Sequence, residues 1–435
     1  MALGGGTFIA QNKVLPGAYV NFVSLSAANA TLSDRGIATM PIELDWGAEG
    51  EVFTVTNTDF QKNSMKFFGY PYDHPKMKGL RDLFKNITML HAYRLNGGGT
   101  KASNDYAVAK YSGTRGNDIK IVVQPNIDDS MFIDVMTYID ATLVDKQSVH
   151  EAKELVGNDY VTFNTSAFLN NTAGTPLMGG TNGTTSNDSY QNYLDKIEGY
   201  SFNAMGVDTT DSTTAELFVN FTKRLREEMG VKFQTVLYNK AADYEGIINV
   251  KNKTTDDGWK ESSLVYWVTG AEAGCAINKS TLNKVYDGEF AVDVSYTQTQ
   301  LVECIKKGEF TLHKVGANIR VLEDINSLVT TSDSKGDVFK DNQTIRVIDQ
   351  VANDTAVLFN EKYLGNVPND TAGRIALWND LVKMREELQS IRAIENFNDT
   401  DVKVTEGNTK KSVVVNDAIE VINTMSKLYM TTVVA

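Results

Sequence analysis

The sequence predicts a multidomain α/β protein: a wound core α/β domain with extended terminal β arms, an inserted β-sandwich and a small α/β domain. Three observations carry that prediction. Strand-like and helix-like patterns alternate from 190 to 275, as in a sheet covered by helices. Short β-prone runs with no helical pattern between them fill 106–163, the spacing expected of a sandwich. Both ends of the chain are β-prone: a glycine run and a turn punctuate the first, and the last ends without a cap or turn.

Residues 1–23 read as an extended arm, in which Gly4-Gly5-Gly6 precedes Thr7, Phe8 and Ile9, and Pro16-Gly17 precedes Tyr19, Val20 and Phe22. Residues 24–95 read as a small α/β domain with a strand over 51–56 and a helix over 77–87. Asn96-Gly97-Gly98-Gly99-Thr100 breaks the pattern and opens a β-sandwich over 96–183, with strands at 106–111, 119–124, 131–138, 141–144 and 160–163. The run Gly179-Gly180-Thr181-Asn182-Gly183 closes it as a linker. The core α/β domain then occupies 184–420, with helices over 190–197, 215–229, 262–275, 298–306, 345–363 and 371–394 alternating with strands. A carboxy-terminal strand arm covers 421–435; Leu428, Tyr429, Met430, Val433 and Val434 give it its β character.

At 435 residues the chain exceeds one ordinary core, and 42% hydrophobic with 22% charged residues marks a globular composition throughout. A net charge of −13 disfavours nucleic acid and anionic membranes as partners. Cys275 and Cys304 form no metal or disulfide pattern, and the amino terminus carries no signal-peptide pattern, so a cytoplasmic origin is expected. His74, His91, His150 and His313 are too scattered for a metal motif. Neither glycine-rich loop ends in the Gly-Lys-Ser/Thr of a phosphate-binding loop, and no Gly-x-Ser-x-Gly turn occurs. No catalytic, cofactor-binding or metal-binding residue is therefore expected.

The helix over 371–394 carries the sharpest local signal. At 100° per residue its apolar positions cover one broad face, and Arg374, Arg385 and Arg392 fall near the middle of it. A buried guanidinium needs a carboxylate partner, so these arginines either close intramolecular ion pairs or form a docking face for another protein.

Several stretches carry a family resemblance, in order and along nearly the whole chain. They are Pro16-Gly17-Ala18-Tyr19-Val20-Asn21-Phe22, Arg35-Gly36-Ile37-Ala38 with Trp46-Gly47, and Tyr111-Ser112-Gly113-Thr114-Arg115-Gly116-Asn117-Asp118-Ile119. Further on come Leu177-Met178-Gly179-Gly180, Val321-Leu322-Glu323-Asp324-Ile325-Asn326-Ser327-Leu328 and Gly365-Asn366-Val367-Pro368-Asn369-Asp370-Thr371-Ala372-Gly373-Arg374. Together they resemble the sheath proteins of contractile phage tails and of phage-like bacteriocins of Gram-positive bacteria.

The resemblance implies a structural, non-enzymatic subunit without cofactors. It implies hexameric rings stacked around a tail tube, contraction from a metastable extended state, and contacts with the baseplate and the tail terminator. It also implies a particle released from its bacterial host by lysis. The terminal arms would add strands to the sheets of neighbouring subunits; from composition alone they complete the subunit's own sheet equally well. A receptor- or carbohydrate-binding particle protein is the alternative, resting on Tyr106, Tyr111, Phe132 and Tyr138, which read equally as sandwich core.

Overall fold

The computed structural model describes residue 32 and residues 35–434; the expected amino-terminal arm, with Thr7, Phe8, Ile9, Tyr19, Val20 and Phe22, lies outside them. Among the described residues the chain divides into a larger unit, 35–349 with the segment from 423 onward, and a smaller one, 350–422.

The larger unit starts with β1 (Ile37–Ile42), β2 (Val52–Thr56), α1 (Asn57–Phe68), α2 (Lys78–Phe84) and β3 (Met89–Arg94). Thr56 caps α1, accepting from the Asp59 amide while the Asp59 carboxylate takes the Thr56 amide, and Gly69 closes the helix with a left-handed backbone. The sandwich follows with β4 (Ala107–Ala109), β5 (Ile119–Pro125), β6 (Ile133–Ile139), β7 (Thr142–Val149), β8 (Val161–Phe163) and β9 (Thr172–Pro176). Then come α3 (Asn187–Ile197), β10 (Ala204–Val207), α4 (Ser212–Arg224), β11 (Gln234–Tyr238), β12 (Ile247–Val250), α5 (Leu264–Gly274) and α6 (Gln298–Lys306). The short strands β13 (Glu309–Phe310), β14 (Leu312–Val315) and β15 (Asn318–Val321) lead into α7 (Asn342–Leu358).

Seven strands form one sheet in the order β13-β12-β11-β10-β1-β3-β2, parallel except where β2 runs against β3. The expected small domain over 24–95 is therefore not a separate body: its three described strands are continuous with the core sheet, because β1 pairs with β10 in parallel register. β1 and β3 are buried on both faces and so lack an apolar–polar alternation, which hid them from period-two counting. Alternate residues feed two cores. Met40, Val236 and Ile248 meet α2 and α5 on one face; Met205, Leu237 and Ile247 meet α3 and α4 on the other. Helix α5 is buried along nearly its whole length. Its Gly270 lets α2 approach, since a Cβ there would sit 2.5 Å from the Leu83 carbonyl oxygen.

The sandwich region packs a four-stranded sheet, β7-β6-β5-β9, and the pair β4-β8 around Ile119, Ile121, Val135, Val161 and Leu177. Trp46, from the loop after β1, joins this core, with Tyr111 edge-on at 5.3 Å and Tyr160 stacked at 6.4 Å. Two buried arginines fix the joint. Arg94 donates to the carbonyls of Ser112 and Gly47 at 2.8 and 3.2 Å, and Arg115 donates to the Gly69 carbonyl at 2.6 Å while pairing with Asp118 and Asp140. Gly113 lies between them at φ 131°, where a Cβ would stand 1.9 Å from the Asp45 carbonyl oxygen. Gly113→Ala should thus loosen the joint by more than ~1 kcal/mol, seen as protease sensitivity of 96–183 with the core sheet intact.

In the smaller unit α8 (Thr371–Ser390) follows the end of α7, and the rest is four short strands: β16 (Ile394–Glu395), β17 (Lys403–Glu406), β18 (Val413–Asn416) and β19 (Glu420–Val421). They pair antiparallel as β16-β19 and β17-β18. The expected single core domain over 184–420 therefore ends near 349: among the described residues no strand after β13 joins the seven-stranded sheet.

Candidate assembly interface

The segment after β19 is held by hydrogen bonds at its root. The Thr424 amide donates to Gln343 Oε1 at 3.0 Å, and the Asn423 side chain bonds Thr344 Oγ1 at 3.2 Å. From 425 to 434 every residue is exposed and none is in a strand. Met425 is 99% exposed, Leu428 86%, Tyr429 88% and Met430 78%. Val433 and Val434 are 88% and 89% exposed. Large apolar side chains contribute about 1.5–3 kcal/mol each when buried, so a run of six in water is a surface awaiting cover. The described part of this arm joins no strand of its own subunit's sheet here.

Arg374 and Arg385 lie on α8, eleven positions apart, and Arg392 does not. Arg385 is buried, and its Nε and Nη2 both donate to Asp417 Oδ2, at 2.8 and 2.6 Å. Its charge is paired within the subunit, which is the first of the two arrangements expected for these arginines. The buried face of α8 is Leu377, Leu381, Val382, Met384 and Leu388, and Arg385 falls within it, as expected. Helix α8 ends at Ser390, earlier than expected, and Arg392 lies beyond it, exposed and left-handed at φ 62°. The Ala393 amide reaches the Leu388 carbonyl and the Arg392 amide reaches that of Gln389, both at 2.9 Å. This is a helix stop that glycine normally completes. Arg374 bonds the backbone and side-chain oxygens of Asn369 at 3.1 Å each. It lines a recess of about 110 Å³ with Phe359, Tyr363, Leu364, Pro368 and Lys411. Nearby in sequence, the hairpin β17-β18 leaves Val414 and Val415 partly uncovered.

Polar networks that sequence reasoning missed hold the larger unit together. Arg346, on the first turns of α7, donates through Nη1 to Glu272 Oε2 and through Nη2 to Asp324 Oδ2, the latter at 2.5 Å. All three are buried. Glu272 Oε1 also accepts from Thr281 Oγ1, and Asp324 Oδ2 accepts from Ser280 Oγ and the Thr281 amide. Arg226, in the π-turn Leu225–Met229 that extends α4, forms a second buried pair with Asp349. Burial and the neighbouring Asp324 charge push the Glu272 carboxyl up to about 8, against the pull of Arg346. Asp324 lies below its ordinary value, with the Arg346 charge overcoming its burial.

Glu272 therefore keeps a proton in the folded protein between its ordinary value of 4.5 and about 8. The stability from that proton is complete below pH 4.5 and is lost as pH rises towards 8, by at most about 1.4 kcal/mol per pH unit. Glu272→Gln should flatten that limb in urea unfolding run from pH 5 to 8; Asp324, Arg346, Arg35, Cys275 and Asp341 are the other titratable groups around it.

Among the described residues no group of His, Cys, Asp or Glu is arranged to hold a metal ion, and no helix is long and apolar enough to cross a membrane. Of the aromatics considered for receptor binding, Tyr106 and Tyr111 pack on the sandwich core and Phe132 lies against His150.

Four family matches follow the chain in order. They are the tail sheath protein Gp18 domain III N-terminal region over 35–95 and the phage tail sheath protein beta-sandwich domain over 97–182. The phage tail sheath protein central domain covers 183–327 and the phage tail sheath C-terminal domain 334–435. The chain belongs to the phage tail sheath family. It is a structural subunit of a contractile tail sheath. The phage-like element PBSX protein XkdK of Bacillus subtilis is 32% identical, over 98% of this sheath chain and 99% of its own. The solved sheath tail protein of Listeria innocua is 33% identical with a TM-score of 0.79, covering 90% of this chain and 93% of its own. The helical sheath of the anti-feeding prophage in its contracted state shares the fold at 11% identity and a TM-score of 0.56, over 96% of this chain and 98% of its own.

Proposed function

We propose that this sheath subunit polymerises by strand exchange, as stacked hexameric rings around a tail tube, and contracts from a metastable extended state to drive the tube through a target envelope. The observation that carries the reading is the exposed apolar arm over 425–434. An extended segment joins an open sheet edge through main-chain hydrogen bonds, and Leu428, Tyr429, Met430, Val433 and Val434 supply the side-chain contacts. The hairpin β17-β18 of a neighbouring subunit offers such an edge. Thr7, Phe8, Ile9, Tyr19, Val20 and Phe22 are proposed as the corresponding contacts of the amino-terminal arm. Head-to-tail contacts that do not close on themselves give helical stacks, and the stored free energy lies in subunit packing, without nucleotide or cofactor. The baseplate and the tail terminator bound the stack at its ends, and the particle assembles in the bacterial cytoplasm and leaves by lysis.

Arg374 and Arg392 remain the proposed tube contacts. Holding a non-glycine residue in a left-handed conformation costs about 1–2 kcal/mol, and strain of that kind gathers at functional surfaces. Electron microscopy of the purified protein tests the assembly reading: regular tubes of fixed diameter are expected, and discrete monomers at every concentration would overturn it. Arg374→Glu with Arg392→Glu should still yield empty sheath tubes but no sheath around tail tubes; normal loading would remove both arginines from the tube contact.

A further inference from the structure

Arg35, just before β1, and the root of the carboxy-terminal arm meet at one buried ionic cluster. On the amino-terminal side, Arg35 precedes β1 and donates through Nε to the Cys275 carbonyl at 2.9 Å and through Nη2 to the Glu272 carbonyl at 3.1 Å. These carbonyls lie at the end of α5, where the helix dipole favours a cation. The side chain of the same Glu272 holds Arg346, and Arg346 holds Asp324. Asp324 in turn takes the Asn342 amide at the start of α7 through its carbonyl, at 2.9 Å. On the carboxy-terminal side, Gln343 and Thr344, in the same first turn of α7, hold Thr424 and Asn423. Arg35 and Thr424, 389 positions apart, are thus joined through Glu272, Arg346 and one turn of helix, with no strand of the central sheet between them.

We propose that Glu272 and Arg346 are positioning residues that clamp the start of β1 and the root of the carboxy-terminal arm to one point, so that a load taken at either passes to the other through this cluster. The inference rests on the arms being the links between subunits. The buried Arg346–Asp324 ion pair at the centre of the cluster suits this role better than an apolar contact. It is directional, and it loses its energy abruptly when its geometry slips, because a separated buried charge is left unpaired. The start of β1 and the arm root are accordingly coupled: loosening one loosens the other, by the same factor in both directions.

Hydrogen exchange of the full-length, unpolymerised chain reads that coupling without using assembly. Arg35→Met should speed exchange at the Thr424 amide about tenfold or more, although Arg35 has no contact with Thr424, and should leave 234–238 in β11 unchanged. Gln343→Ala should reciprocally speed exchange at 36–38, and Arg35→Lys, which still donates to the α5 carbonyls, should restore most of the protection at Thr424. Increases confined to 36–38 and 272–275 in Arg35→Met, or to 422–425 in Gln343→Ala, would overturn the clamp. Because free subunits are measured, those results leave strand exchange standing; failure of strand exchange shows instead as tubes that persist without the arm.

Discussion

A chain ending at Thr424 should fold, stay soluble and form no tubes. Met425, Leu428, Tyr429, Met430, Val433 and Val434 touch nothing that stabilises their own subunit, so removing them should move the melting temperature by no more than ~2 °C. The Gln343 and Thr344 contacts to Thr424 and Asn423 survive the cut, which keeps the first turn of α7 in place. Negative-stain images of the truncated protein, at concentrations where the full chain polymerises, make the comparison. Tubes that persist in the truncated protein would refute linkage by this arm. Aspartate at Leu428 and Val433 together should reproduce the effect with the backbone intact, which separates lost side-chain burial from lost chain length.

The second large effect belongs to Arg346. Arg346→Met leaves Asp324 as an unpaired carboxylate in a buried site, and removing one member of a buried ion pair costs about 3–5 kcal/mol. The larger unit should unfold at markedly lower urea. Adding Asp324→Asn should recover part of the loss, because the isolated charge is then gone. The non-additivity of the pair measures the interaction itself. If the single substitution were neutral, the cluster would contribute nothing to the fold.

Composition and alternation gave the α/β class, the sandwich and the β character of the carboxy-terminal end. What they missed has physical causes. Strands β1 and β3 are buried on both faces, so their side chains carry no inside–outside alternation to count. Arg35, Trp46, Arg115 and Asp324 did stand out, but only as parts of family-like stretches. Their work, closing the sandwich joint and the ionic cluster, depends on partners tens to hundreds of positions away, such as Gly69 for Arg115 and Arg346 for Asp324. Arg392 was misplaced because a helical wheel continued the helix beyond Ser390, whereas Arg385 was placed on the buried face but its partner, Asp417, could not be named from spacing. Arm residues were legible in kind and not in circumstance: β propensity identifies a strand without saying whose sheet it completes.

The alternation of the arm fixes how the link bears force. In an extended chain Leu428, Met430 and Val434 project to one side and Tyr429 and Val433 to the other. Both sides are apolar, so the recipient has to cover the strand from above and below. A strand seated in such a slot and pulled along its own axis strains all its ladder hydrogen bonds at once, whereas one lifted from an open edge yields them singly. Resistance to axial shear with compliance in bending would let rings turn past one another without parting.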